Sequence, residues 1–220
     1  MKTLYFAILS LVILAAACAD PAANKPKAQT SEPTANNTAA KPANSTPATT
    51  ATATELAITP ENSKIEFTGS KVTGKHDGGF KQFTGAINLV GDKPEASSVT
   101  VVIDTPSVYT DADGLTKHLQ TADFFEVSKF PKATFTSTKI EPDPAKGAGN
   151  FIVTGDLDLH GVKKTVTFPA EINVTPDAVT VDAEFTINRK DFGILYAGKA
   201  DDLIRDDVVI KLTLKAPRKK

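Results

Sequence analysis

The chain has 220 residues, with 25 Lys+Arg against 26 Asp+Glu and a formal net charge of −1. That length suits one domain with appendages, and the balanced charge gives no reason to expect nucleic-acid binding. A single Cys excludes a disulfide framework, and three scattered His residues with it make no metal-ligand spacing.

Residues 1–17 read as an export signal. Lys2 is a basic start, Leu4 to Leu14 is an apolar stretch too short to span a bilayer, and Ala15-Ala16-Ala17 is a run of small residues. Cys18 follows at once. This resembles a bacterial lipobox, in which the Cys becomes the lipidated first residue of the mature protein. A lone exported Cys otherwise has no use, so lipidation of Cys18 and firm attachment through several acyl chains are expected. Ala19 stands where Asp would favour inner-membrane retention. The expected location is therefore the bacterial envelope, as a periplasm-facing lipoprotein on the outer rather than the inner membrane.

Residues 18–54 are expected to form a disordered tether. From Ala19 to Thr54 there is no aromatic residue and no Leu, Ile or Val, so the segment cannot bury enough apolar surface to offset its chain entropy. The folded domain is expected over 55–216, with a basic tail at 217–220.

Alternation marks the strands. Ile65 and Phe67 form one apolar set, then Phe83, Gly85, Ile87 and Leu89, then Val99, Val101 and Ile103. Between the first two, the glycine-rich Gly74–Gly79 reads as a turn, with His76 solvated in it. A helical insertion follows. Thr110 or Asp111 is placed to cap it, Leu115, His118 and Leu119 share one face, and Gly114 keeps it short. Thr121 can cap a further turn carrying Phe124 and Phe125. Pro131 forces Phe130 into an extended conformation, and strand resumes from Thr134 to Ile140.

The second half predicts its own register. His160-Gly161 suits a two-residue hairpin turn, which sets Leu159 opposite Val162, Gly155 opposite Val166, Val153 opposite Phe168 and Phe151 opposite Ala170. The loop 175–178 sets Val174 opposite Val179, Ile172 opposite Val181, Ala170 opposite Ala183, Phe168 opposite Phe185 and Val166 opposite Ile187. Both hairpins put one apolar face on the same side, and a one-residue slip would expose all of it. The other face carries Thr154, Asp156, Thr165, Thr167, Asp182, Glu184 and Thr186. A last strand alternates through Val208, Ile210, Leu212 and Leu214.

The fold class expected is thus all-β: about eight antiparallel strands with one apolar face, closed into a barrel or folded into a sandwich, plus a short helical insertion. An eight-stranded barrel has room for a filled core or for one small ligand. Small interior residues (Gly85, Gly155, Ala170, Ala183) would leave volume unfilled. The aromatic stretch from His118 to Phe135 is then either a core plug or a pocket wall. Since the strands supply an interior of their own, the insertion at 111–131 reads as a lid over the barrel mouth. Asp111, Asp113, Asp123, His118 and His160 offer acid–base groups in principle, but there is no G-x-S-x-G nucleophile and no paired metal motif, so no enzyme is expected. His118 reads as structural and His160 as a turn residue. Arg189 and Arg205 either pair with Asp201, Asp202, Asp206 and Asp207 or meet an anionic head group.

Several blocks, HLQTADFFEVSKFPKATFTSTKI, GDLDLHGVKKTVTFPAEI and NRKDFGI, resemble the YceI-like family of bacterial lipid-binding proteins, and the resemblance runs from Ser63 to Leu214. It implies an extended, lipocalin-like β-barrel exported to the periplasm, holding a long isoprenoid chain in an apolar tunnel. The ligand implied is a polyisoprenoid, an isoprenoid quinone or a polyprenyl phosphate, with no other cofactor. On that reading the lining would be Phe67, Phe83, Ile87, Val101, Ile103, Phe135, Phe151, Val153, Val166, Phe168, Val181, Phe185 and Leu212. Leu115, Leu119, Phe124, Phe125 and Phe130 would face in from the lid. The partners expected are the apolar lipid and, through Cys18, the membrane; a homodimer is compatible with the sequence. The competing expectation is a ligand-free structural or stress-response envelope lipoprotein.

Overall fold

A computed structural model describes residues 20–33 and 53–218. The export signal, Cys18 and the middle of the expected tether lie outside the described residues. In chain order the strands are β1 (Gln29–Ser31), β2 (Ala53–Ile58), β3 (Lys64–Lys71), β4 (Gly74–Phe80), β5 (Phe83–Val90), β6 (Lys93–Asp104) and β7 (Val108–Thr110). Helix α1 (Asp113–Leu119) follows. Then come β8 (Lys132–Pro142), β9 (Asn150–Leu159), β10 (Val162–Val174), β11 (Ala178–Asn188), the short pair β12 (Gly198–Lys199) and β13 (Asp202–Leu203), and β14 (Asp207–Pro217).

All eight strands expected from alternation are present and lie side by side, in the order β5-β6-β8-β9-β10-β11-β14-β3. The sheet is antiparallel and larger than expected, because β2 extends it beyond β5 and β4 and β7 extend it beyond β3. It curls until β2 lies beside β14 without pairing to it. The result is a curled sheet with an unpaired seam rather than a closed eight-stranded barrel. Its apolar side faces inward and forms one continuous core.

The hairpin at His160-Gly161 forms as predicted, with Leu159 opposite Val162, Gly155 opposite Val166, Val153 opposite Phe168 and Phe151 opposite Ala170. Both turn residues have positive φ, 56° and 73°, the twist that matches the flanking strands. The second hairpin holds only in part. Val174 faces Val179 and Ile172 faces Val181, but the ladder ends at Glu171 and Asp182. Ala170 with Ala183, Phe168 with Phe185 and Val166 with Ile187 are not paired through the backbone.

The reason lies in the segment expected to be a disordered tether. There β10 and β11 fork, and β1 fills the fork. It runs antiparallel to β10, with Gln29 opposite Thr167 and Ser31 opposite Thr165, and meets β11 through a parallel bridge from Lys27 to Thr186. Ala28 N–H donates to Thr186 O at 2.9 Å, and Thr186 N–H donates to Pro26 O at 2.8 Å. The open backbone groups of both strands are thereby satisfied. The same segment covers Thr186, which the alternation alone had placed on the solvent face and which is buried. Interior facing survives the fork: the rings of Phe168 and Phe185 stack at 4.1 Å.

The glycine-rich Gly74–Gly79 is a strand, not a turn; Val72 and Thr73 make the turn. A Cβ on Gly78 would lie 2.5 Å from Tyr109 O and 2.6 Å from the Phe67 ring. The glycine lets an aromatic ring and a neighbouring strand close on the backbone. His76 is not merely solvated, since its Nδ1 lies 2.8 Å from Asp111 Oδ1. That hydrogen bond is the main cause holding the Asp111 carboxyl below the ordinary aspartate value.

Neither Thr110 nor Asp111 caps α1. Thr110 belongs to β7, and the residue before the helix proper is Ala112, with no side-chain cap. Thr110 Oγ1 instead bonds to Ala112 O at 2.8 Å and to Thr116 Oγ1 at 2.9 Å, which fixes the entry into the helix. Thr121 does organise the next turn: it donates to His118 O at 2.8 Å, and Phe124 N–H donates to Thr121 O.

A hollow apolar interior as the candidate site

An elongated cavity of about 250 Å³ runs through the core. Along β11 and just beyond it the lining extends from Val179 to Arg189, which at 3.3 Å per residue is about 33 Å of strand. A volume near the low end of ordinary ligand pockets, roughly 300 Å³, spread over such a length makes a narrow bore. The wall is almost wholly hydrocarbon, with Glu66, Ser97, Ser98 and Arg189 as its polar side chains. Hollowness also shows in burial. Phe135, Val181, Ile210 and Leu212 line the cavity, yet each stays partly exposed. An inward chain with nothing packed on it keeps that exposure; a filled core would remove it.

Of the expected lining, Phe67, Ile87, Val101, Ile103, Phe135, Val153, Val166, Phe168, Val181, Phe185 and Leu212 lie on the wall, together with Leu119, Phe124 and Phe125 from the insertion. Four do not. Phe83 and Phe151 are buried in the core behind the wall. Leu115 packs in the second cluster under the insertion. Phe130 turns away to rest on His160, with ring centroids 4.8 Å apart. Pro131 fixes its backbone, and the adjacent hairpin turn offers the nearer apolar surface.

The insertion closes one end. Val108, Leu119, Phe124 and Ile194 form a buried cluster with Phe67, Phe80, Phe125, Tyr196 and Ile204 around it. Phe80 meets Phe67 at 5.9 Å and Phe125 at 5.7 Å, so the aromatic rings of three separate elements seal this mouth. His118 belongs to the same structure: its Nε2 lies 2.8 Å from Asp123 Oδ2, and its ring stands edge-on to Phe124 at 5.0 Å and Tyr196 at 5.1 Å. His160 directs Nδ1 to Phe192 O at 3.2 Å.

Arg189 is neither a plain ion pair nor a free head-group ligand. It is 4% exposed, and its guanidinium donates to Ile194 O at 2.7 Å, Arg205 O at 3.1 Å and Ile204 O at 3.4 Å, with Asp206 Oδ1 at 3.5 Å. Burial pulls its pKa below the ordinary arginine value, and Asp206 pulls it partly back. Its main work is to tie the 189–206 segment over the mouth. Among the other acids of that stretch, Asp202 pairs with Lys71, Asp207 with Lys27, and Asp206 also with Lys190 at 3.0 Å. Arg205 pairs with Asp20 at 3.3 Å.

Ile194 and Ile204 were missed as wall residues, because they sit in an irregular polar segment with no strand period. The expected role of the small residues is also corrected. Gly85, Gly155, Ala170 and Ala183 are absent from the wall. A Cβ on Gly155 would lie 2.6 Å from the Phe135 ring and from Thr136 O, so the glycine admits a ring rather than leaving a void. Gly155→Ala should therefore destabilise the protein by about 1–3 kcal/mol, read as a lower urea midpoint at unchanged slope; a wild-type midpoint would show that Phe135 moves aside freely.

Comparison with known proteins agrees with this architecture. The model of the YceI-like domain matches residues 56–216. A UPF0312 protein of Pseudomonas putida (strain W619) is 36% identical over 140 residues, 61% of this chain and 71% of that one. Among solved structures, BcnA of Burkholderia cenocepacia superposes with a TM-score of 0.64 at 26% identity, over 72% of this chain and 99% of its own. A polyisoprenoid binding domain from Saccharophagus degradans, at 21% identity, shares the fold with a TM-score of 0.59 over 76% of this chain and 100% of its own.

Proposed function

The chain belongs to the YceI-like family, and from that premise we propose that it binds and carries a long-chain apolar lipid of the polyisoprenoid class inside its curled sheet, in the bacterial envelope. The observation that carries this reading is the hollow, hydrocarbon-walled bore closed at one end by aromatic rings. Burial of apolar area at roughly 25 cal/mol per Å² holds such a ligand without a precise polar contact. The narrowness of the bore favours one extended chain over a bulky ring system. The fold shared with the Saccharophagus polyisoprenoid binding domain is consistent with that choice. Lipidation at Cys18 and a periplasm-facing position complete the proposal, since a tethered carrier works next to the membrane that supplies its cargo. The candidate acid–base residues are engaged otherwise: His118 holds Asp123 within the lid and His160 holds a backbone carbonyl.

The test is direct. Organic extraction of the full chain purified from membranes, followed by mass spectrometry, should release a stoichiometric long-chain isoprenoid. Repeated recovery of lipid-free protein that also fails to take up an added isoprenoid quinone would overturn the proposal and leave a ligand-free structural lipoprotein.

A further inference from the structure

Among the described residues, the exposed large apolar side chains are Val72, Leu195 and Leu203, and all three stand at the mouth that the insertion closes. Isolated exposed apolar residues need no explanation; a set gathered on one rim does. Val72 lies at the tip of the β3–β4 hairpin, and its N–H donates to Leu203 O at 3.2 Å. Leu195 lies between Ile194 and Tyr196, which both pack into the cluster beneath the insertion, and it is 64% exposed. The Arg189 guanidinium binds the carbonyls of Ile194 and Ile204, each next to one of these leucines. The segments that present Ile194 and Ile204 to the bore thus present Leu195 and Leu203 to the outside.

A second observation is where the leading chain arrives. Asp20 pairs with Arg205 at 3.3 Å, on the same segment as Leu203. Cys18 is two residues upstream, a reach of at most about 7 Å. Lys71 is matched by Asp202 and Arg205 by Asp20, and Lys199 in the β12–β13 hairpin is balanced in number by the neighbouring Asp201, so the rim offers hydrocarbon rather than net positive charge.

We propose that this rim docks on a lipid bilayer surface, with Val72, Leu195 and Leu203 dipping into the interface and the closed mouth facing the membrane. An apolar lipid would then pass between bilayer and bore beneath the insertion, without crossing water. The cargo part and the lipidation of Cys18 rest on the proposed function; the exposed apolar rim is observed independently of both. Insertion of apolar tips into the interfacial layer needs no anionic lipid.

The chain contains no Trp, so single-tryptophan variants report cleanly. Leu203→Trp, Leu195→Trp and, in the loop at the opposite end of the sheet, Ala145→Trp would be placed in the full chain and reconstituted with phosphatidylcholine vesicles carrying brominated acyl chains. The indoles at 203 and 195 should be quenched roughly threefold or more beyond that at 145, with blue-shifted emission and no requirement for phosphatidylserine. Equal quenching at the three positions, or stronger quenching at 145, overturns the docking. Blue shift without vesicles together with a doubled molar mass assigns the tips to a second copy and also overturns it. Extraction of the same samples separates the two readings: quenching without recovered lipid keeps the docking and removes the cargo, and lipid without quenching does the reverse.

Discussion

Phe168→Asp should cost about 4 kcal/mol or more, enough to unfold the domain or empty its interior. Phe168 is 4% exposed, stacks on Phe185 at 4.1 Å and leans on Phe135 at 5.8 Å. Among the described residues, its ring neighbours are Phe135 and Phe185, and neither offers a charge to pair with a carboxylate. Thr167→Asp, one residue away on the opposite face, should cost far less, about 1 kcal/mol, because it breaks only the hydroxyl contact with Thr154 at 3.0 Å. Urea denaturation of the two variants measures the difference, and Phe168→Leu, which folds more readily, tests ligand retention by extraction. Equal losses at 167 and 168 would mean that the inward and outward faces of β10 had been exchanged.

Arg189→Met is expected to cost about 3 kcal/mol or more, although methionine fills similar space. The loss comes from one buried carbonyl, that of Ile194, and two partly buried ones, those of Ile204 and Arg205, left without their shared donor. The effect should be local before it is global. Hydrogen exchange of the Ile204 and Arg205 amides, now bonded to Ala197 O and Ser70 O at 2.9 Å, should speed up ahead of the amides of β9 and β10. Arg189→Lys should recover only part of the loss, because an ammonium cannot span three divergent acceptors as a planar guanidinium does. Unchanged exchange in 189–206 would show that the segment is held by its backbone alone.

The strands were legible because their period is written in side chains. Val153, Val166, Phe168, Phe185 and Leu212 declare an inner face, and His160-Gly161 sets the register of β9 on β10. Elements held by main-chain groups were not legible. Gln29, Thr30 and Ser31 bring hydrogen bonds and no apolar side chain, so β1 looked like tether. The strand Gly74–Phe80 hid behind its glycines, whose missing Cβ atoms admit the rings of Phe67 and Tyr109. In the site, most residues on regular strands were found by alternation, Phe80 on the hidden β4 and Leu157 on β9 being exceptions. Ile194, Ile204 and the carbonyl-binding role of Arg189 were not, because they depend on how an irregular segment folds back, and no period records that. Phe130 was misplaced for the opposite reason: an aromatic residue in an aromatic stretch turned outward to cover a hairpin turn.

The fork between β10 and β11 is closed by a stave that the chain supplies from upstream of β2, its first residue, Gln29, standing eleven residues after Cys18. A version cut to begin at β2 would expose the free N–H and C=O groups of Thr165–Thr167 and Thr186 in a groove shaped for one extended segment. Such a groove is a receptor for strand donation. The missing stave can then be supplied only by another extended segment, such as an added peptide of residues 26–31, which should bind the truncated protein and restore the ladder. The segment that carries β1 is, in this sense, an internal plug over an otherwise adhesive groove.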